Sequence, residues 1–144
     1  MTEKPPSLTE AMRRGALLSA DCPSRHVLRH ATSRWGVLVF IALKTGTQRF
    51  SELRRKIGGV SERMLAQTLQ ALEGDGLVSR VSHPVVPPHV EYSLTPMGME
   101  IAEKVAALAD WIEENMPRIA EHRERNPDSG RAAGRNGEGA SLQA

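Results

Sequence analysis

The chain has 144 residues, 40% of them hydrophobic, and 19 Lys and Arg against 17 Asp and Glu give a formal net charge of +2. That length favours one domain with a modest core, and no run of about 18 apolar residues is present to span a bilayer. The single cysteine excludes an internal disulfide and points to a reducing, cytoplasmic setting, while the slight positive balance suits a polyanionic partner without demanding one.

The sequence divides into an arm (1–20), a compact domain (21–125) and a tail (126–144). In the arm, Ser7 and Glu10 have capping-box spacing, and Leu8, Met12 and Ala16 share a helical face. Such a helix is too short to stand alone and needs a partner surface. The stretch GALLSADC has the outline of a lipoprotein cleavage site. Asp21 occupies the position that needs a small residue, and the apolar run before it is short, so export is rejected. The tail has Leu142 as its only large apolar side chain and is expected to be disordered.

The domain opens with Cys22 as cap and Pro23 at the first helical position. The next segment, RWGVLVFIALKTG, is apolar from Trp35 to Leu43 and reads as a buried central helix ending at Gly46. RFSELRRKIGG reads as a short helix capped by Ser51 and stopped by Gly58 and Gly59. A fourth helix, SERMLAQTLQALEGDG, starts at the Ser61 cap. Its spacing sends Met64, Leu65, Thr68, Leu69, Ala71 and Leu72 to the core, and Ser61, Glu62, Arg63, Ala66, Gln67 and Gln70 to solvent. Two short strands, LVSRVS and VEYSLT, flank the tip HPVVPPH, where the prolines stiffen a loop that gives no amides to a sheet. Thr95 then caps a long helix opened by Pro96, which Pro117 is expected to kink or break.

Two short helices joined by a glycine turn form a helix-turn-helix, and the hairpin behind them makes it winged. The fold class is therefore mainly α with a small β-hairpin wing (α+β). The exposed face of the fourth helix suits a base-reading role. Arg63 can bridge guanine N7 and O6, Gln67 or Gln70 can bridge adenine, Ala66 can touch a thymine methyl, and Ser61 with the helix amides suits a phosphate. Arg49, Ser51, Arg54, Arg55 and Lys56 precede that helix and Arg80 lies in the wing, a distribution that fits phosphate contacts. The plainer reading of these faces is ordinary solvated surface, with some arginines paired to Glu52 or Glu73. A winged helix can also serve as a protein-interaction module without DNA-binding activity.

The strings CPSRHVL, RWGVLVFIAL, RFSELRRKIGGVSERMLAQTLQALEGDGLVSR and PVVPPHVEYSLTPMG follow one another as in the HxlR family of winged-helix regulators, which are related to the MarR type. The resemblance covers about residues 21 to 115. It implies a homodimeric transcriptional regulator on an inverted-repeat operator in double-stranded DNA, dimerising through its first and last helices. Its implied reading positions are Ser61, Arg63, Gln67 and Gln70, its backbone clamps Arg54 and Arg55, and its interface residues Leu108, Trp111 and Ile112. Trp111 could instead pack within the chain. His89 stands where the family commonly has a wing arginine, and TSRW replaces the usual glycines and lysine before the central helix.

Some family members sense oxidants or electrophiles at the cysteine of this CP step. At a helix cap with Arg25 one turn on, Cys22 has the setting of a promoted thiolate; the plainer reading is a quiet, buried structural thiol, since one cysteine per chain leaves no internal resolving partner, and the expected effector is an unknown small molecule or a redox event. Cys22, His26 and His30 are spaced four apart, but the boundary at Pro23 gives poor ligand geometry, and no metal site or cofactor is assigned. No nucleophile–base pair or glycine-rich phosphate loop occurs, so an enzyme is not expected.

Overall fold

The computed structural model describes residues 4, 7, 9, 10 and 23–127. Its elements are α1 (Pro23–Ala31), α2 (Arg34–Leu43), β1 (Gln48–Arg49), α3 (Phe50–Ile57), α4 (Glu62–Gly74), β2 (Val78–His83), β3 (His89–Leu94) and α5 (Pro96–Arg125). The chain packs as two units divided between Ala106 and Ala107. In the arm, the Glu10 amide donates to Ser7 Oγ at 3.2 Å, the expected cap. The arm's apolar face, Cys22, and the tail beyond residue 127 lie outside the described residues.

The core of the first unit is built from the apolar stripes the sequence displays. Val39, Phe40 and Leu43 of α2 meet Leu53 of α3, Leu65, Leu69 and Leu72 of α4, Val78 and Tyr92 of the sheet, and Ala102 and Val105 of α5. Each large side chain removed from water this way contributes roughly 1.5–3 kcal/mol. Burial on α2 is confined to one face, since Ile41 is exposed.

The sheet has three strands where the sequence suggested two, in the antiparallel order β1-β3-β2. Gln48 and Arg49 pair with Tyr92 and Glu91. Two residues carry too little alternation to be read as a strand. What places them is Gln48, a buried side chain whose Nε2 donates to the Ala42 carbonyl at 3.2 Å and to Thr45 Oγ1 at 2.9 Å.

Three further expectations are corrected. Helix α3 starts at Phe50, with Arg49 rather than Ser51 as the capping residue, and Glu52 Oε1 accepts from the Arg49 amide at 3.3 Å. Pairing of Arg49 in β1 and packing of the Phe50 ring against Tyr92, with centroids 6.5 Å apart, set the turn two residues early. Met64 is 43% exposed rather than core. It lies at the edge of the α4 stripe centred on Leu65, Leu69 and Leu72, on the same side as the half-buried Thr68 and Ala71. Helix α5 runs unbroken through Pro117. The one carbonyl that loses its helical donor there belongs to Glu113, on an exposed stretch that water can reach.

The wing is fixed at its root. Thr95 Oγ1 donates to the Gly76 carbonyl at 2.6 Å and accepts from the Gly98 amide at 3.0 Å, and the Thr95 amide donates to the Leu77 carbonyl at 3.2 Å. One threonine thus caps α5 and ties it to the α4–β2 connection. Gly98 is required by this closure, because a Cβ there would lie 1.8 Å from the Leu77 carbonyl oxygen.

Candidate nucleic-acid interface

The turn between α3 and α4 is Gly58-Gly59-Val60-Ser61. Gly58 and Gly59 hold φ of 68° and 74°, left-handed values that a side chain disfavours. They let the chain reverse in four residues while Val60 is buried beneath. Ser61 then caps α4, its Oγ accepting from the Met64 amide at 3.1 Å.

Around this turn lies an open depression of about 700 Å³ lined by Phe50, Ser51, Arg54, Arg55, Gly59, Val60, Ser61 and Glu62. It gathers Ser51, Arg54, Arg55 and Ser61, four of the residues assigned to nucleic acid from sequence. Arg54 is not a free cation. Its Nε donates to the Val60 carbonyl at 3.3 Å and its Nη1 to Glu62 Oε1 at 3.1 Å. The partner is Glu62, neither Glu52 nor Glu73. The contact neutralises the carboxylate that would otherwise oppose an anion at the α4 N-terminus. Arg55 is exposed beside it.

On α4, Arg63, Ala66, Gln67 and Gln70 are all exposed, whereas Leu65, Leu69 and Leu72 are buried. The base-reading face proposed from helical spacing is therefore presented to solvent. The C-terminal end of α4 is held to α1 by His30, whose Nδ1 lies 2.7 Å from Asp75 Oδ2. That contact occupies one of the two histidines weighed with Cys22 as ligands. The other, His26, accepts at Nδ1 from Arg29 at 3.3 Å.

The wing residues separate. Arg80 pairs with Tyr92 and His89 with His83, so alternation puts Arg80 and His89 on opposite faces of the hairpin. His89 is not at the tip. The strands extend to His83 and His89, and the tip proper is the exposed stretch 84–88. The two imidazoles stack with centroids 4.7 Å apart. Glu91, two residues along β3, reaches both: His83 Nε2 is 3.0 Å from Oε2 and His89 Nε2 is 3.4 Å from Oε1. The hydrogen bond from His83 chiefly holds the Glu91 carboxyl below its ordinary 4.5. The positive charge available to both rings adds to this, and partial burial opposes it. This trio could hold a metal ion, since its ligand atoms lie within 4.8 Å of one another. Sequence reading overlooked it. The signal is a His-x-Glu pair on one strand, joined by a five-residue tip to a histidine directly opposite.

In the second unit, Leu108, Trp111, Ile112 and Met116 are exposed at helical spacing along one face of α5, with Trp111 at 55% and Leu108 at 53%. Among the described residues, no helix is long and apolar enough to cross a membrane.

The family model described as HxlR-like helix-turn-helix matches residues 31–120. The chain belongs to the HxlR family. Among its relatives, the HTH-type transcriptional regulator YtfH of Escherichia coli (strain K12) is 66% identical over 113 residues, covering 78% of this chain and 90% of that protein. The solved structure of the transcriptional regulator ytfH from Salmonella typhimurium is 68% identical, with a TM-score of 0.72 over 75% of this chain and 96% of that one. The redox regulator HypR in its oxidized form is 37% identical, with a TM-score of 0.60 over 65% of this chain and 97% of its own. As an HxlR-type protein the chain is a winged helix-turn-helix, DNA-binding transcriptional regulator.

Proposed function

We propose that two copies of this chain bind an inverted-repeat operator in double-stranded DNA, each inserting α4 into a major groove. The observation that carries this reading is the pairing of an exposed Arg63–Gln67–Gln70 face with the adjoining depression lined by Ser51, Arg54, Arg55 and Ser61. The first can make bidentate base contacts, and the second suits a phosphate. Arg49 and Arg80 add backbone contacts on either side, and His89 acts through the wing. No nucleophile or general base enters this scheme, and the protein works in the cytoplasm as a regulator rather than an enzyme.

The dimer forms through the first and last helices. The exposed stripe Leu108, Trp111, Ile112 and Met116 supports this on α5. On α1 the support is an apolar depression of about 430 Å³ lined by Pro23, Ser24, Val27, Leu28, Ala31 and Ile101. Regulation acts on dimer geometry, through a small molecule or through Cys22. Cys22 directly precedes the first residue of α1, where the helix dipole favours a thiolate, and the likeness to HypR points the same way.

The test is selection of duplexes from a random pool by the purified full chain, followed by a salt titration of the selected site. Affinity is expected to fall by roughly 0.9 log unit per log unit of salt for each phosphate contacted. A chain that selects no sequence and binds with little salt response would instead be using its wing and α4 face for a protein partner.

A further inference from the structure

We propose that the outer face of the wing binds a divalent transition-metal ion through His83, His89 and Glu91. The three side chains come from two paired strands and share one face, His83 opposite His89 in register and Glu91 two residues further along β3. Two imidazoles and one carboxylate are a ligand set suited to zinc, cobalt or nickel rather than magnesium or calcium. The spacing is within reach of a site. Tetrahedral bonds of about 2.0–2.1 Å put neighbouring ligand atoms roughly 3.3 Å apart, and the Glu91 carboxylate lies between the two rings, with Oε2 3.0 Å from His83 Nε2 and Oε1 3.4 Å from His89 Nε2. A metal ion would replace the His83–Glu91 hydrogen bond and the longer His89–Glu91 contact. One ligand atom from each of the three side chains lies within 4.8 Å of the other two.

Three protein ligands leave coordination positions open to water or to an anionic oxygen. Arg49 of β1 is the register partner of Glu91 and shares this face, so it opposes the incoming cation and aids any anion the metal recruits. The site lies on the hairpin, apart from the α3–α4 depression, and its metal affinity does not depend on the DNA reading.

The metal-free full chain, titrated with cobalt(II) in the absence of DNA, is expected to take up one ion per chain with visible absorption of a nitrogen–oxygen site, and zinc is expected to displace it. His83→Ala and His89→Ala should each lower affinity at least tenfold while leaving the far-ultraviolet circular dichroism unchanged. On the unmodified protein, zinc should shift the imidazole resonances of His83 and His89 and leave those of His26 and His30 in place. Absence of uptake at millimolar cobalt, affinity in the two histidine variants equal to the parent's, or a thiolate charge-transfer band lost in Cys22→Ser would each overturn the assignment.

Discussion

Arg63 on α4 and Arg55 on α3 have different expected roles. Arg63 is exposed on α4 and, as a bidentate reader of guanine, its replacement by alanine is expected to cost about 1–3 kcal/mol on the selected operator and to relax preference at one base position. Arg55→Ala should weaken binding to all sequences alike and reduce the salt slope by about 1. Equilibrium binding to the operator and to a scrambled duplex separates the two, and equal losses on both duplexes for Arg63→Ala would remove it from the reading face. Arg54 is a poorer probe, because its contacts to Glu62 and Val60 also join α3 to α4. As an exposed pair the Arg54–Glu62 contact adds at most about 1 kcal/mol to stability. In the wing, Glu91 is held below 4.5 chiefly by His83. A depressed carboxyl stabilises the folded wing at pH values above its ordinary range, and that contribution is lost as pH falls through the lowered value. A carbon-13 titration should therefore place Glu91 below 4.5, with His83→Ala moving it upward. An unmoved midpoint would show that His83 is not the cause.

At the level of elements, the turn and wing root carry the strongest stability predictions. Gly98→Ala forces a methyl against the Leu77 carbonyl and should cost about 1–3 kcal/mol in urea unfolding. Gly74→Ala, at the end of α4 with nothing within 4 Å, should be neutral or stabilise by up to about 1 kcal/mol. A neutral Gly98→Ala would mean the wing root is looser than described. The helices and most caps were legible in the sequence because periodicity and capping chemistry are local: Ser61, Thr95 and Pro96 stand where their residue types dictate. What was not legible is decided by distant partners. Strand β1 exists because β3 is there to pair with it. Phe50 joins α3 because Tyr92 receives its ring. Arg54 found Glu62 across a turn. Met64 falls at the edge of the apolar stripe, on the same side as the half-buried Thr68 and Ala71, where the packed layer ends. The His83–His89–Glu91 trio needed the hairpin register, which the apparent strand limits in the sequence placed one residue short on each side.

For the whole molecule, the account requires two copies arranged by a two-fold axis. The apolar stripe on α5 makes Trp111→Glu the decisive change, since a charge at the centre of a buried interface disfavours association. Sedimentation should show the parent as a dimer and the variant as a folded monomer with much weaker operator binding. A dimeric variant would place the interface elsewhere. The most direct test of the central claim is affinity for the selected operator as its half-sites are moved apart. Because paired recognition helices must enter successive major grooves on one face of the duplex, about 34–36 Å apart, inserting about half a helical turn between the half-sites should abolish cooperative binding. Affinity indifferent to that insertion, with one chain bound per half-site, would contradict the account.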